Sequence, residues 1–586
     1  MNIKAIIKRL TNGITVIGCC LLVTGQTACS DFLDLKPLND VVLENYWTKK
    51  SDVTSVLMGC YESLYSEECL TRMGLWGEVR SDNVILGVST SQDLEQLYKE
   101  DMLPSNPFCN WSSFYQTINR CNVLIHYAPE VQAIDPNYTL SEMKANVAEA
   151  TFIRSLCYFY LIRAFRDVPF SREPSIDDNQ DYRIPATSFD EVLAAIIEDL
   201  EAVKDEAQIF FRKPNPDKQQ EADERDNTAR VTRQAIYALL ADLYLWQGEW
   251  DKCIACCDYV IEFKQSEFTR LKRRLQNNVY LFNDIPLIRE KLDNNAGNAY
   301  REIFGEGNSF ESIFELTFSK TLNENNSNTY VSNYYFDNSS NSASNGRLAA
   351  IEDFYGSLPT KNSELFNTKD CRAYESIYHV GETQFYIAKY SATRVNIDNS
   401  KTNWKPAYSW RSDKYAHWIV YRLTDVMLMK AEALVQLYVL GGKAEGDTRN
   451  EEAFNICKFI NDRALSDANK TSYALKYATY RDRMEELVMA ERARELCFEG
   501  KRWFDLMRYN YRHTETQADL RKKLTEGYVA NSDAFFELAL RKYAVPAAMK
   551  AKMRDERYLY MPINQDEVEI NTNLVQNPVY KSSSKY

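Results

Sequence analysis

The sequence predicts a mostly α-helical protein. Its scaffold would consist of helical hairpins that resemble tetratricopeptide units, joined by long polar loops, with a few short strands. The first observation is periodicity, because apolar residues recur every three or four positions in several segments. The second is spacing, because a helix, a Gly turn and a second helix fit within about 34 residues. The clearest hairpin has a stripe of Ala235, Leu239, Leu243 and Trp246, a turn at Gly248, and a second helix from Trp250 with Cys253, Cys257 and Ile261.

Further helices are predicted from the same periodicity and from capping signals. Ser188 and Glu191 form a capping box, so a helix is expected to begin there and to run to about Val203. The preceding helix is expected to stop before Pro169, which cannot continue it. Roughly four hairpins are expected in total. The remaining predicted helices are 147–165, a stripe from Val420 to Leu434, its partner Ala453 to Ala464, and Met484 to Cys497, which Gly500 ends.

Polar segments between the helices predict loops, and two apolar segments predict strands. The predicted loops are residues 205–229, 320–346 and 392–416, the second of which is dominated by Asn and Ser. Short strands are expected at Ser312 to Phe318 and near Gln384 to Lys389.

The chain begins with the pattern of an exported protein. Lys4, Lys8 and Arg9 precede a short apolar run and small residues that lead to Cys29. The run is too short for a permanent membrane span. We therefore predict a lipoprotein signal peptide over residues 1–28 and acylation of Cys29.

Cys19 is the competing acylation site, because the residues before it match a lipobox better than Gln26-Thr27-Ala28 does. Cleavage there would leave an apolar core of roughly nine residues, near the short limit for a signal peptide. Cys29 is favoured for that reason.

Composition excludes some functions. The 586 residues carry a formal net charge of -13, which argues against nucleic acid as a partner. The Cys253, Cys256 and Cys257 run could suggest zinc or redox chemistry, but Cys253 and Cys257 share one helix face and are interpreted as core residues. The four histidines are scattered, so no metal and no cofactor are predicted.

Three glutamates raise the question of an enzyme. Glu491, Glu495 and Glu499 are spaced four apart, which could suggest the carboxylates of a glycoside hydrolase. That chemistry needs two carboxyl groups facing each other across a substrate. A stripe interleaved with arginines more naturally forms ion pairs, so the glutamates are interpreted as structural. Recognised catalytic motifs are absent from the sequence, and no enzyme activity is predicted.

Aromatic residues in the polar loops are candidates for sugar binding. A pyranose packs its C–H face on a ring and needs polar neighbours for its hydroxyls. Trp404, Tyr408 and Trp410 fit best, because Lys, Asn, Ser and Arg surround them. Further candidates are Tyr330 and Tyr335 in the Asn-rich loop, and Asn83, which follows Glu78 and Asp82 in a segment where a scaffold role is favoured. Trp111, Trp246, Trp250 and Trp503 are expected in the core.

An ordered set of motifs resembles the SusD-like (RagB/SusD) nutrient-binding lipoproteins of the Bacteroidetes outer membrane. The most specific motifs lie near the C-terminus. The set comprises Cys29 to Asp34, Arg80 to Asn83, Trp111 to Tyr115, Ile118 to Asn122, Ala148 to Ala150, Arg154, Asp167 to Pro169, Glu311 to Glu315, Arg422-Leu423, Ala431 to Ala433, Ile460-Asn461, Arg463-Ala464, Glu491 to Leu496, Phe498 to Leu506, Met561 to Ile563 and Gln576 to Tyr580. Gln26 and Arg166 depart from the family pattern.

The resemblance implies a scaffold of tetratricopeptide-like hairpins with a loop-rich ligand-binding subdomain, divided approximately into residues 29–320 and 321–586. It implies a lipid-anchored outer-membrane protein that faces the cell exterior. Such a protein would bind a glycan and deliver it to a SusC-like TonB-dependent transporter. Peptides or another nutrient are the alternative ligands, and a glycoside hydrolase lipoprotein or a helical interaction scaffold are the alternative classes.

Overall fold

The computed structural model describes most of the chain. It describes residues 46–580 except 89, 177–179, 212–225, 276–277, 293–294, 320–326, 337–345, 353–364, 367–368, 381–383, 399–403, 405, 466 and 515–530. The predicted signal peptide of residues 1–28 and the predicted lipidation site Cys29 lie outside the described residues.

Helices dominate the structure, which confirms the predicted fold class. They are α1 (Lys50–Leu64), α2 (Glu67–Glu78), α3 (Gln92–Tyr98), α4 (Ser112–Ile134), α5 (Leu140–Phe165), α6 (Phe189–Val203), α7 (Asp226–Ala229), α8 (Arg233–Gln247), α9 (Trp250–Leu275), α10 (Asn298–Tyr300), α11 (Thr329–Tyr334), α12 (Cys371–Ser376), α13 (Leu423–Leu440), α14 (Arg449–Ala464), α15 (Asp467–Tyr473), α16 (Tyr477–Tyr480), α17 (Met484–Leu496), α18 (Arg502–His513), α19 (Asp533–Ala539), α20 (Pro546–Lys552) and α21 (Gln565–Ile570).

Short antiparallel strands lie mostly between α9 and α13 and form a β-rich region. They are β1 (Val84–Leu86), β2 (Val168–Pro169), β3 (Ala186–Thr187), β4 (Val279–Phe282), β5 (Ile285–Ile288), β6 (Lys291–Leu292), β7 (Asn295–Ala296), β8 (Ser312–Leu316), β9 (Leu348–Ala350), β10 (Ile377–Val380), β11 (Gln384–Ile387), β12 (Ala392–Asp398), β13 (Ala407–Trp410) and β14 (Trp418–Arg422). Two sheets have four strands, in the orders β1-β9-β11-β10 and β13-β12-β7-β6.

The helical layer is a series of hairpins whose neighbours pack in chain order, from α4 with α5, through α6, α8 and α9, to α13 with α14. Local signals fix the helix ends. Ser188 and Glu191 form the predicted capping box at the start of α6. Gly248 ends α8 in the left-handed conformation, with φ of 80°, as the predicted turn requires. In the described part of the chain, none of the helices combines the length and apolar character that crossing a membrane requires.

The β-rich region was only partly predicted. Strands β8 and β11 confirm the two predicted strands. The prediction of a loop over residues 392–416 is wrong in part, because β12 and β13 pair there as a hairpin. Val395 and Ile397 of β12 are buried while Asn396 between them and Asp398 after them are partly exposed, an alternation typical of a strand with one buried face. Strand β14 pairs with β8, so segments on the two sides of residue 320 form one small sheet. The division at residue 320 stays a prediction.

A buried ionic network joins the helical layer to the β-rich region. Glu495 of α17 accepts hydrogen bonds from Arg372 at 2.9 Å, Arg422 at 2.6 Å and Arg463 at 2.5 Å. Burial raises the pKa of Glu495, but the three arginines outweigh burial and hold that pKa well below its ordinary value. The side chain therefore stays ionised although it is almost completely buried.

The other two glutamates of the stripe complete the network. Glu499 accepts hydrogen bonds from Arg422 and Lys389, and Glu491 pairs with Arg372 and Arg494. The structural interpretation of the three glutamates is confirmed. Their partners come mainly from distant segments rather than from neighbouring turns of α17, and the Glu491–Arg494 pair is the one with helical spacing.

A close backbone contact holds α2 against the turn before α18. An ideal Cβ atom on Gly77 would lie 1.7 Å from the carbonyl oxygen of Gly500, so only a hydrogen fits there. Glu78, the next residue, accepts the Gly500 N–H at 3.1 Å. The contact positions the N-terminal helices against the C-terminal ones.

We expect Gly77→Ala to lower the free energy of unfolding by about 3 kcal/mol or more, because two backbone segments must separate to admit the methyl group. Gly59→Ala is the matched control, since Gly59 lies in α1 with nothing within 4 Å of its added Cβ. The Gly59→Ala variant should be more stable than the parent by about 0.5–1 kcal/mol, because Ala has a higher helix propensity than Gly. Chemical denaturation followed by circular dichroism measures both. Equal stability of the two variants would contradict this packing.

We expect Glu495→Gln to cost about 3–5 kcal/mol of unfolding free energy, because it leaves buried arginine charges uncompensated. Glu486→Gln is the control, because Glu486 is an exposed residue of the same helix with a solvent-exposed partner, Arg483. The control should change stability by less than about 1 kcal/mol. Denaturation midpoints that agree for both variants would show that the network is not a source of stability.

Candidate functional site

Five aromatic side chains meet where two β-hairpins face each other, and we call them the aromatic cluster. Its members are Phe336, Tyr378, Tyr386, Tyr408 and Trp410. The rings of Tyr408 and Trp410 are stacked, with centroids 4.8 Å apart and planes 5° from parallel. Phe336 lies 4.6 Å and Tyr378 4.9 Å from Trp410, centroid to centroid.

Strand geometry brings these rings together. Tyr408 and Trp410 are two residues apart on β13, so they project from the same face of the hairpin. Tyr378 of β10 is directly opposite Tyr386 of β11, and cross-strand partners share a face. Phe336 follows α11 and enters between the two hairpins, where it contacts rings of both.

Hydrogen bonds fix the stacked pair in place. The Tyr408 hydroxyl donates to the carbonyl oxygens of Tyr374 at 2.6 Å and Ile377 at 3.1 Å. Burial raises the pKa of Tyr408 well above its ordinary value, so the hydroxyl keeps its proton and remains a donor. Arg411, directly after Trp410, donates to the carbonyl oxygens of Phe304 and Gly305. The pair is therefore preorganised rather than free to rotate.

The cluster is buried on one side and open on the other. Phe336 and Tyr386 are buried, whereas Tyr378, Tyr408 and Trp410 are half-buried. Gln384 is exposed beside them, and its side-chain oxygen accepts the Tyr386 hydroxyl at 2.9 Å. The arrangement offers partly exposed ring surface next to an amide, which is the combination that a sugar can use.

Trp404 lies close to the cluster without joining it. It is buried against Tyr374, with ring centroids 5.6 Å apart, and the Lys369 ammonium lies 5.0 Å from its ring. Tyr374 connects Trp404 to the aromatic cluster, because its carbonyl oxygen also accepts the hydrogen bond of the Tyr408 hydroxyl. The structure thus brings Tyr408 and Trp410 together and places Trp404 behind them.

Three further predicted site residues are in the interior, as Trp404 is. The expectation that Trp404, Tyr330 and Tyr335 are exposed is wrong, whereas the burial of Asn83 agrees with the scaffold role favoured for its segment. Tyr330 packs on Gly74, where an added Cβ would lie 2.2 Å from its ring, and Tyr335 donates its hydroxyl to the Phe498 carbonyl at 2.8 Å. Asn83 donates to Glu78 at 2.8 Å. All three are fully buried. The glycine on α2 makes room for the Tyr330 ring, and a polar sequence around tyrosines does not reveal such a partner.

Sequence reasoning missed Phe336, Tyr378 and Tyr386. The signal for two of them was present, because Ile377–Val380 and Gln384–Ile387 are short runs rich in β-branched and aromatic residues, which is typical of strands, and Tyr378 and Tyr386 fall opposite each other. Phe336 could not be found this way, since only the tertiary structure shows that it points away from the neighbouring Tyr335. Within the described residues, no group of three or more His, Cys, Asp or Glu side chains is placed to hold a metal ion.

The fold and the cluster define a class of protein, a helical-hairpin scaffold with an inserted β-rich region that carries partly exposed rings. Comparison with known families narrows the class. Residues 310–580 match the family described as the SusD family, and residues 31–245 match the family described as starch-binding associating with outer membrane. The chain belongs to the SusD-like family.

Individual relatives are similar over most of their length. SusD-like protein P38 of Formosa agariphila is 24% identical over 512 residues, which cover 82% of this chain and 88% of that protein. A SusD superfamily protein from Bacteroides thetaiotaomicron has a TM-score of 0.61 at 19% identity, covering 91% of this chain and 99% of that one. A laminarin-binding SusD-like protein has a TM-score of 0.55 at 18% identity, with coverage of 91% and 99%. These structures share the fold.

We expect a pH-dependent stability from His379, which lies on the opposite face of the β10–β11 hairpin. Burial lowers its pKa from 6.5 to about 4, so the folded chain keeps it neutral while the unfolded chain protonates it near pH 6.5. The part of the unfolding free energy that depends on neutral His379 is present above pH 6.5 and is lost as the pH falls towards 4. Between pH 7 and 4.5 the parent should lose about 1–2 kcal/mol more unfolding free energy than His379→Gln.

The matched control is His126→Gln, because His126 is an exposed histidine. Its unfolding free energy should follow that of the parent at both pH values. The role given to His379 would be rejected if His379→Gln lost as much stability on acidification as the parent.

Proposed function

We propose that the protein binds an oligo- or polysaccharide glycan at the aromatic cluster, with the exposed surface of Trp410 as the main contact. A SusC-like TonB-dependent outer-membrane transporter would then receive the glycan for uptake. The observation that carries the proposal is the stacked, half-buried Tyr408–Trp410 pair in a chain of the SusD-like family.

The geometry of the pair suits a sugar. The C–H face of a pyranose packs on a flat ring, and a ring already held in one orientation loses little conformational freedom on binding. Tyr408 is tied to the backbone through its hydroxyl, so the stacked Trp410 ring has a rigid support. Gln384 at the edge can exchange hydrogen bonds with sugar hydroxyl groups.

We infer that the protein is a binding protein rather than a glycoside hydrolase. The three glutamates that could suggest hydrolysis are buried and each is paired with two or more cations. Two carboxyl groups of a hydrolase must face a substrate, with one of them available as an acid. Side chains held ionised by arginines inside the scaffold do not meet that requirement.

The location proposed for the protein rests on its N-terminal sequence and its family. Acylation of Cys29 would tether the body to the outer membrane through a polar arm, Ser30 to Asn39. One matching family is described as associating with the outer membrane, which supports this location. The tether would hold the aromatic cluster near the transporter on the cell surface.

We expect Trp410→Ala to weaken glycan binding about 5- to 30-fold, because a ring–sugar contact contributes on the order of 1–2 kcal/mol. Affinity electrophoresis of the protein without its leader, through gels containing laminarin, starch or other soluble polysaccharides, measures retardation directly. Trp410→Phe should retain part of the binding, since it keeps a ring. Tyr473→Ala is the control, because Tyr473 is exposed on α15, away from the cluster.

Two results would contradict the proposal. One is unchanged retardation of Trp410→Ala, which would place the glycan elsewhere. The other is release of reducing ends by the purified protein, which would make it an enzyme. Unfolding midpoints of each variant show whether a loss of binding reflects a loss of structure.

A further inference from the structure

A cavity lies beside the helical layer, and none of its lining residues belongs to the aromatic cluster. It has a volume of about 210 Å³, far above the ~15 Å³ that one water needs. Its floor is apolar and buried, formed by Ile261 of α9, Met427 of α13 and Ile456 of α14. The β4–β5 hairpin supplies one wall through Phe282 and Ile285. We call this cavity the helix-layer pocket.

The hairpin wall is held firmly. Asn283 and Asp284 form its tight turn with φ of 45° and 63°, and Gln265 donates to the Asn283 carbonyl oxygen at 3.1 Å. Tyr280 and Phe282 both stack on Phe459 of α14, with ring centroids 5.1 and 5.0 Å away. The pocket is therefore preformed and does not depend on a ligand to open it.

The mouth of the pocket carries excess negative charge. The Lys430 ammonium lies 2.8 Å from Asp258 and 2.7 Å from Glu452, so two carboxylates already neutralise it. Glu451 is exposed at the rim and makes no hydrogen bond or ion pair with any described residue. Two carboxylates thus contact the one ammonium, and Glu451 adds a further negative charge at the rim.

The partial positive charge at the N-terminus of α14 does not make the mouth of the pocket positive. A helix N-terminus carries roughly half a positive charge, which favours anions. Glu451 and Glu452 lie in the first turn of α14 and more than offset that partial charge. An anionic ligand would have to approach both glutamates, whereas a cation would be attracted by them.

The geometry points to a binding site for an organic cation with an apolar chain that ends in a primary ammonium group. The chain would lie on the Ile261, Met427 and Ile456 floor, and the ammonium would reach the carboxylates at the mouth. Burying apolar surface supplies the affinity, and the ammonium–carboxylate contact supplies the selectivity. The site is independent of the glycan-binding function proposed above, because the two share no residue.

Three six-carbon probes of equal length test this assignment: n-hexylamine, n-hexanol and n-hexanoate. Saturation-transfer NMR on the protein without its leader gives their affinities. We expect n-hexylamine to bind at least about fivefold more tightly than n-hexanol, and n-hexanoate to bind more weakly than both. Equal affinities, or tighter binding of n-hexanoate, would overturn the proposal.

Variants locate the site. Asn455→Trp fills the pocket from a half-buried position on α14 and should abolish binding of both n-hexylamine and n-hexanol. Glu451→Gln removes a rim charge that has no partner in the described part of the chain, and it should weaken n-hexylamine about threefold while leaving n-hexanol unchanged. Glu445→Gln is the control, since Glu445 is an exposed glutamate in the turn before α14, and it should change neither.

The variants also separate this site from the glycan site. Asn455→Trp should keep the parent's retardation in polysaccharide gels and its unfolding midpoint. Unchanged n-hexylamine binding in Asn455→Trp would show that the amine binds elsewhere and would refute the assignment. Glu451 is exposed and has no ion-pair partner among the described residues, so Glu451→Gln should keep the parent's unfolding midpoint, and a loss of selectivity at that midpoint reports on binding.

Discussion

The buried carboxylate of Glu495 accepts hydrogen bonds from three arginines, which come from three different parts of the chain. Arg372 comes from α12 in the β-rich region, Arg422 from the end of β14, and Arg463 from α14 of the helical layer. A buried carboxylate is tolerated only when such partners compensate the loss of water. The three segments must therefore meet at one place, and this requirement sets how the β-rich region sits on the helices.

Lys389 extends this constraint to the aromatic cluster. Its ammonium donates to Glu499 at 2.6 Å and to the carbonyl oxygens of Glu495 and Cys497 at 2.9 and 3.0 Å. Lys389 lies between β11, which carries Tyr386, and β12, which pairs with β13. Both strands that frame the cluster are thus anchored to the C-terminal end of α17. The Lys389 contacts thus tie the segment between the two hairpins to the helical layer, while the Tyr408 hydroxyl bonds hold the stacked pair itself.

Short-range sequence patterns were enough to predict the helical layer, but they were insufficient to predict which residues form the site. Helix caps such as Ser188 with Glu191, and the turn at Gly248, depend on neighbours within a few residues, so they could be predicted. Exposure of an aromatic ring depends on what the rest of the chain places against it. Tyr330 is buried because α2 presents Gly74 to its ring, while Trp410 keeps an open side. Sequence composition around the two residues is similarly polar, and it could not separate them.

The difference between the buried tyrosines and the stacked pair follows from secondary structure. Tyr330 lies on α11, and that short helix packs along α2, which directs the ring into the core. Tyr408 and Trp410 lie on a strand, where alternate residues share a face and the pleat holds two rings in parallel. Phe336 packs against Trp410 from the inner side, Tyr386 packs behind Phe336, and the outer side of the pair is left partly to solvent. A strand at the edge of its sheet can thus present a flat aromatic surface that a helix buried on several sides cannot.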